Sequence, residues 1–347
     1  TTDFAFSCPA PLADYPEIIL AHGAGGALTK SLIDKLFAPL LQNEFLDQMH
    51  DGAVLATNAN RLAFTTDSYV VKPLFFPGGD IGSLAVYGTV NDLLMCGARP
   101  LHLSLGIIIE EGLPMKSLHR VAVSIATACK RTGVDVVTGD TKVVDRGKGD
   151  GLYINMSGIG ALQTTQQIHA NSIHPGDIII LSGDIGRHGV AVLSARDHLD
   201  FETDIRSDCA PLDEPVLALL DAGAEIHCMR DLTRGGLATA LIELSDKCGH
   251  DMIIRERSIS IAPGVRGASE LLGLDPLYIA NEGRFIIVAP DSAASKILDI
   301  LKAFEVTRAS AVIGAVSEGR GSVICETLLG QNRPLDLLTG EQLPRIC

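Results

Sequence analysis

Short apolar runs alternate along this chain with stretches of helical length, several of them closed by glycine, and that alternation confines the fold to the α/β (α+β) class. Residues 101–110, 135–140, 152–162, 178–182 and 283–289 have the length and apolar content of strands, and 61–71 is β-rich. Helices are expected over 29–43, 81–96, 115–131, 215–222, 234–247 and 292–304, that over 81–96 as an amphipathic one. Gly97 and Gly133 stand where the second and third of these should end. Ile18-Ile19-Leu20-Ala21 reads as a strand entering the glycine loop His22-Gly23-Ala24-Gly25-Gly26.

The chain has 347 residues, more than one hydrophobic core usually serves, so two α/β domains are expected. The polar run 163–171, followed by the turn His174-Pro175-Gly176-Asp177, differs from both flanks and marks the boundary. The resulting division is an extension over 1–16, an N-terminal domain over 17–165, a C-terminal domain over 172–331 and a mobile tail over 332–347. The tail holds two prolines and no sustained period. From Pro334 to Cys347 it could reach roughly 45 Å at about 3.3 Å per extended residue, enough to cross a domain.

A net charge of −14 and the lack of a basic stripe argue against nucleic acid, whose backbone is held by clustered Lys and Arg. The same balance is compatible with ATP, since Mg²⁺ bridges carboxylates to phosphates. Eight scattered cysteines form no CxxC pair, which argues against zinc. With no secretory-type start and no membrane-length apolar run, a reducing cytoplasmic setting is expected. His102, His119, His227 and His250 do not cluster, and only His22 draws notice, from its glycine neighbours.

Four aspartates sit at strand or helix positions beside small polar or glycine-rich partners: Asp67 in Thr65-Thr66-Asp67-Ser68, Asp92 in Asn91-Asp92, Asp140 in Thr138-Gly139-Asp140-Thr141-Lys142, and Asp231 in Arg230-Asp231-Leu232-Thr233-Arg234-Gly235-Gly236. Any one alone reads as a helix or turn cap. Together they suit Mg²⁺ and phosphate without a Walker loop. The glycine loop with Gly25 and Gly26 is by itself a weak phosphate signal, because it matches neither GxGxxG nor a P-loop. Lys142 could stabilise charge at a phosphate or be a solvated lysine, and Glu282 before an apolar strand could be a general base or a turn carboxylate. Cys347 is the last residue, two after Arg345, which makes it a thiol able to enter a pocket; a prenylation signal would need its Cys fourth from the end.

Taken together, Ala21 to Gly26, Phe64 to Ser68, Pro73 to Gly79, Thr138 to Lys142, Arg230 to Gly236, Ala280 to Gly283 and Pro344-Arg345-Ile346-Cys347 resemble the HypE carbamoyl dehydratases of nickel–iron hydrogenase maturation. The aspartate motifs alone are similar to the wider PurM-like superfamily of aminoimidazole ribonucleotide synthetase, selenophosphate synthetase and thiamine-monophosphate kinase. The resemblance implies a two-domain PurM-like architecture, a homodimer whose N-terminal sheets pair across the two-fold, and a flexible C-terminal tail. It implies ATP and Mg²⁺ held by Asp67, Asp92 and Asp140, with Asp231, Gly25 and Gly26 also at the nucleotide, and Lys142 and Glu282 at the dehydration centre. Cys347 would receive a carbamoyl group from a HypF-type carbamoyltransferase, and the cyanide made from it would pass to a HypC and HypD iron-carrying complex. Two rivals remain: a superfamily enzyme acting on a free small molecule, and a nucleotide-gated scaffold.

Overall fold

The apolar runs fold into two main sheets, and the computed structural model describes residues 15–23, 27–48, 53, 55, 61–197 and 205–338. In the first half, α1 (Ala27–Leu32) continues through a π turn (Ile33–Phe37) into α2 (Ala38–Leu41). Then come β1 (Leu62–Tyr69), the short pair β2 (Phe75–Phe76) and β3 (Gly79–Asp80), α3 (Ile81–Met95), β4 (Ala98–Glu110), α4 (Met115–Thr132), β5 (Asp135–Val144) and β6 (Leu152–Leu162). Their four-stranded sheet has the order β1-β6-β4-β5. Only β4 and β5 are parallel, because α4 carries the chain back across the sheet between them.

The second half runs β7 (Asp177–Leu181), α5 (Arg187–Asp197), α6 (Asp213–Asp221), β8 (Cys228–Asp231), α7 (Gly236–Cys248), β9 (Asp251–Arg255), α8 (Pro263–Leu272), β10 (Phe285–Pro290), α9 (Ala294–Lys302), β11 (Ala311–Ser317), β12 (Val323–Glu326) and β13 (Asn332–Leu335). Its seven-stranded sheet has the order β13-β12-β9-β11-β7-β10-β8. The inner strands β7 and β10 are buried on both faces, which is why they read as unbroken apolar runs. Ile178, Ile180, Phe285 and Ile287 join the core holding Val216 and Leu219 of α6 and Ile297 and Leu301 of α9. Ile179, Leu181, Ile286 and Val288 face the opposite core with Leu237 and Leu241 of α7.

Helix α4 buries one stripe, Met115, Leu118, Val121, Ala122, Ile125 and Ala128, and stops at Gly133, which takes φ 68°. Helix α3 departs from the amphipathic expectation: twelve of its fifteen residues are buried. Its sides pack on α4, on β1, β4 and β6, and on β8 and α6 of the second half, so it has no solvent face to mark with polar residues. A capping box starts it: Asp80 Oδ1 accepts the Gly82 and Ser83 N–H groups at 2.8 and 3.1 Å, and Ser83 Oγ accepts the Asp80 N–H at 3.1 Å.

Two other expectations are corrected. Ile18-Ile19-Leu20-Ala21 is no strand: Leu20–Gly23 is a 3₁₀ turn, and a single bridge, Glu17 with Pro114, is the sheet-like pairing here. His22 Nδ1 accepts the Ile19 N–H at 3.1 Å, curling the chain before a ladder can grow. The tail does not begin at residue 332, since β13 adds antiparallel to β12 and Tyr278 Oη donates to the Asp336 carbonyl at 2.9 Å. Gly25, Gly26 and Cys347 lie outside the described residues. Among the described residues no helix is long and apolar enough to cross a membrane.

Because the Asp80 cap sets the start of a helix shared by both halves, Asp80→Ala is expected to cost about 1 kcal/mol and lower the thermal midpoint. Thermal unfolding followed by circular dichroism checks this; an unchanged midpoint would show that packing alone sets the helix start.

Candidate active site

A cavity of about 550 Å³ opens between the two halves. Strand β1 lends Thr65 and Asp67, α3 lends Asp92, β8 ends in Arg230 and Asp231, and Thr233, Arg234 and Glu282 complete the wall. Thr65 Oγ1 donates to Asp92 Oδ2 at 2.9 Å, and Asp67 Oδ1 accepts the Ser68 N–H at 2.8 Å with the Arg234 guanidinium at 3.8 Å. Asp231 lies opposite Phe285 in the β8–β10 ladder, which brings β8's end beside the segment bearing Glu282. Asn281 locks that segment, its Nδ2 donating to the Leu232 and Ile279 carbonyls while its Oδ1 accepts the Gly186 N–H at 2.7 Å. Gly236, at φ 61°, lets α7 approach here, since a Cβ would lie 2.6 Å from the Ile279 carbonyl oxygen.

The electrostatics are those of crowded carboxylates only partly offset by Arg230 and Arg234. Burial first, then the charge of Asp92, pushes Asp231 up to about 7, with Arg230 opposing. Burial also raises Asp92, the Thr65 hydroxyl opposing and Asp67 adding. Crowded oxygen donors of this kind suit a hard cation that keeps waters and phosphate oxygens in its shell. Among the described residues no three His, Cys, Asp or Glu side chains could hold a metal by themselves.

Asp140 and Lys142 lie elsewhere. Successive strand residues face opposite sides, so β1 turns Asp67 toward the cavity just described and Ser68 toward the other face of its sheet, although Ser68 and Tyr69 border both cavities. On that outer face Ser68, Asn155, Gly106 and Asp140 form one row across the four strands, with Tyr153, Ile108 and Lys142 in the next. These residues line a second cavity of about 710 Å³. One chain therefore joins Asp67, Asp92, Asp231 and Glu282 in one place and Asp140 with Lys142 in another. Residue pattern could not separate them, because Asp67, Asp140 and Asp231 are all strand aspartates in small polar or glycine-rich motifs. Thr65, Arg230 and Arg234 were not singled out from the sequence, though all three sit inside the aspartate motifs.

Residues 49–162 match the N-terminal domain, and 174–326 the C-terminal domain, of the AIR synthase related proteins. The carbamoyl dehydratase HypE of Azotobacter vinelandii is 49% identical over 332 residues, covering 95% of this chain and 97% of that protein. The chain belongs to the HypE family of carbamoyl dehydratases. A crystal structure of hydrogenase maturation protein HypE in complex with ATP superposes with a TM-score of 0.92 at 44% identity, covering 95% of this chain and 99% of the other. A HypE–HypF complex gives 0.78 at 43% identity, covering 90% and 100%. As a HypE-family member the chain is an enzyme with the two-domain PurM-like fold.

Six cysteines of this HypE-family chain are described, and desolvation raises them all, Cys129 and Cys228 to about 12. Each is protonated at neutral pH and a poor nucleophile.

The raised Asp231 has a consequence for stability. Between its unfolded value near 3.8 and about 7 the folded chain keeps a proton that the unfolded chain releases, so stability falls as pH rises through that window. Asp231→Asn should therefore be more stable than the parent at pH 8, by on the order of 1–3 kcal/mol, and nearly equal to it at pH 4. Thermal melts at both pH values in the absence of nucleotide test this; an equal difference at both would show that Asp231 is not held protonated.

Proposed function

We propose that this chain carries a carbamoyl group on Cys347 and dehydrates it, with ATP, to a thiocyanate whose cyanide becomes an iron ligand of nickel–iron hydrogenase. The observation that carries the reading is the acidic cavity of Asp67, Asp92 and Asp231 with Glu282 in its wall, in a chain similar to a HypE solved with ATP. Amide oxygen is a poor leaving group until it is phosphorylated, and a nucleotide in this cavity removes that obstacle.

The carbamoyl oxygen attacks the γ-phosphorus of ATP and the bond to ADP breaks. Glu282 accepts a proton from nitrogen as the carbon–nitrogen bond order rises. The carbon–oxygen bond then breaks, phosphate leaves with that oxygen and takes the second nitrogen proton, giving S-cyanocysteine, ADP and phosphate. Asp67 and Asp92 would help to hold Mg²⁺, which when bound supplies charge neutralisation at the phosphates, with Asp231 beside the nucleotide. Lys142 stabilises the transferred phosphoryl group, and Asp140 binds beside it as a further Mg·ATP ligand.

Asp140 and Lys142 reach such a cavity if two copies pair through the outer face of the four-stranded sheet. That face supports a homodimer: it leaves Leu62, Phe64 and Ile108 exposed at 49, 71 and 43%. Gly25 and Gly26 are assigned to the nucleotide on their motif alone. A HypF-type carbamoyltransferase is the partner that loads Cys347, in keeping with the HypE–HypF complex, and a HypC and HypD complex is the acceptor.

Intact mass spectrometry of protein carbamoylated beforehand reads the reaction as the loss of one water mass on adding ATP. Cys347→Ala should bind ATP and give no such product, and Glu282→Gln should slow single-turnover dehydration about 100-fold or more. Turnover of a free small molecule by Cys347→Ala would overturn the carrier role; a wild-type rate in Glu282→Gln would overturn the base.

A further inference from the structure

One buried carboxylate outside the cavity is directed at the main chain of the proposed base. Asp208 is 7% exposed, and its Oδ2 accepts the N–H groups of both Glu282 and Gly283 at 3.2 Å. Among the described residues its Oδ1 is buried without a hydrogen-bond partner. A carboxylate left half-satisfied in the interior costs stability, so the two N–H contacts come at a cost that helix or sheet packing does not require. The approach is close on both sides: a Cβ on Gly283 would lie 2.1 Å from the Asp208 carbonyl oxygen and 3.2 Å from Ala210. Residue 283 must therefore stay glycine for Asp208 to reach.

The segment carrying Asp208 is in turn bound to the helix that carries Asp92. Asn91 Nδ2 donates to the Ala210 carbonyl at 3.1 Å and to the Glu282 carbonyl at 3.5 Å, and Asn91 Oδ1 accepts the Leu212 N–H at 2.9 Å. Asn91 is 2% exposed and precedes Asp92 on α3. At its other end the segment is held by the Ser207 N–H, which donates to the Pro77 carbonyl at 2.8 Å, and by the Ser207 hydroxyl, 2.9 Å from His188 Nδ1. Asn91 and Asp208 thus form a brace from α3, through residues 207–212, to the backbone of Glu282.

The geometry points to Asp208, seconded by Asn91, as the positioning residue that fixes Glu282 relative to the Asp67, Asp92 and Asp231 cluster. The inference rests on Glu282 being the base. Its physical content is register: the nucleotide is bound from α3, β1 and β8, whereas the base sits on the loop before β10, and proton removal has to occur where the phosphoryl group is transferred. A displacement near 1 Å at such a site is enough to cost about 100-fold in rate. Oδ2 alone receives both N–H groups, so an amide oxygen in the same place preserves the brace and a methyl group abolishes it.

The test uses the full-length chain carbamoylated beforehand, with single-turnover loss of water read by intact mass and ATP affinity by calorimetry. Asp208→Ala should slow dehydration about 30- to 100-fold while the Kd for ATP stays within about threefold, and Asp208→Asn should recover to within about threefold of the parent rate. Asn91→Ala, which releases the segment from the other side, should slow dehydration about tenfold with ATP affinity kept, and supplies the decision if Asp208→Ala does not fold. A parent-like rate in Asp208→Ala or Asn91→Ala, an equal loss of ATP affinity, or failure of Asp208→Asn to recover would overturn the brace. Should Glu282→Gln itself react at the parent rate, the base assignment fails instead, whatever the Asp208 variants do.

Discussion

Burial of α3 on all sides is the constraint from which the arrangement follows. The first sheet and α4 hold it on one side and β8 with α6 hold it on the other, so one core runs through both halves of the chain. Asn91 and Asp92 are polar residues in this apolar environment, and each is answered from elsewhere: Asp92 by the Thr65 hydroxyl, Asn91 by the main chain of residues 210 and 212. A helix that both halves must pack against cannot shift without moving either, which places the carboxylate cavity at a fixed seam.

At that seam the charge is compensated only in part. Arg230 and Arg234 stand at the rim, and Arg230 is engaged by Glu243 at 2.6 Å, so the cluster of Asp67, Asp92 and Asp231 relies on its neighbours only in part. The price appears as the upward displacement of Asp231 and Asp92. A ligand that brought positive charge to this cluster would relieve both, and its binding free energy would add to stability in proportion to the logarithm of its concentration.

Much of the framework was legible in residue pattern, and the exceptions share a cause. The stripe of α4 and the runs of β7 and β10 carry their environment in local period, because one neighbouring layer decides it. Helix α3 looked amphipathic in expectation because its second covering layer comes from residues more than a hundred positions away. Asp140 and Asp231 are alike as strings, but β5 is the far edge of one sheet and β8 the edge of another, so they face different cavities. Asp208 and Asn91 act through a few long-range contacts that leave no period at all.

In the proposed dimer a working site takes the Asp92 cavity from one protomer and Lys142 from its partner. Mixing Asp92→Asn chains with Lys142→Ala chains, each inactive alone, tests this directly. Random exchange makes half of the dimers mixed, and each mixed dimer contains one intact site, so dehydration should return to about a quarter of the parent rate per chain. Absence of any recovery, with mixed dimers demonstrated by native mass spectrometry, would contradict it and place both residues in a site made by one chain.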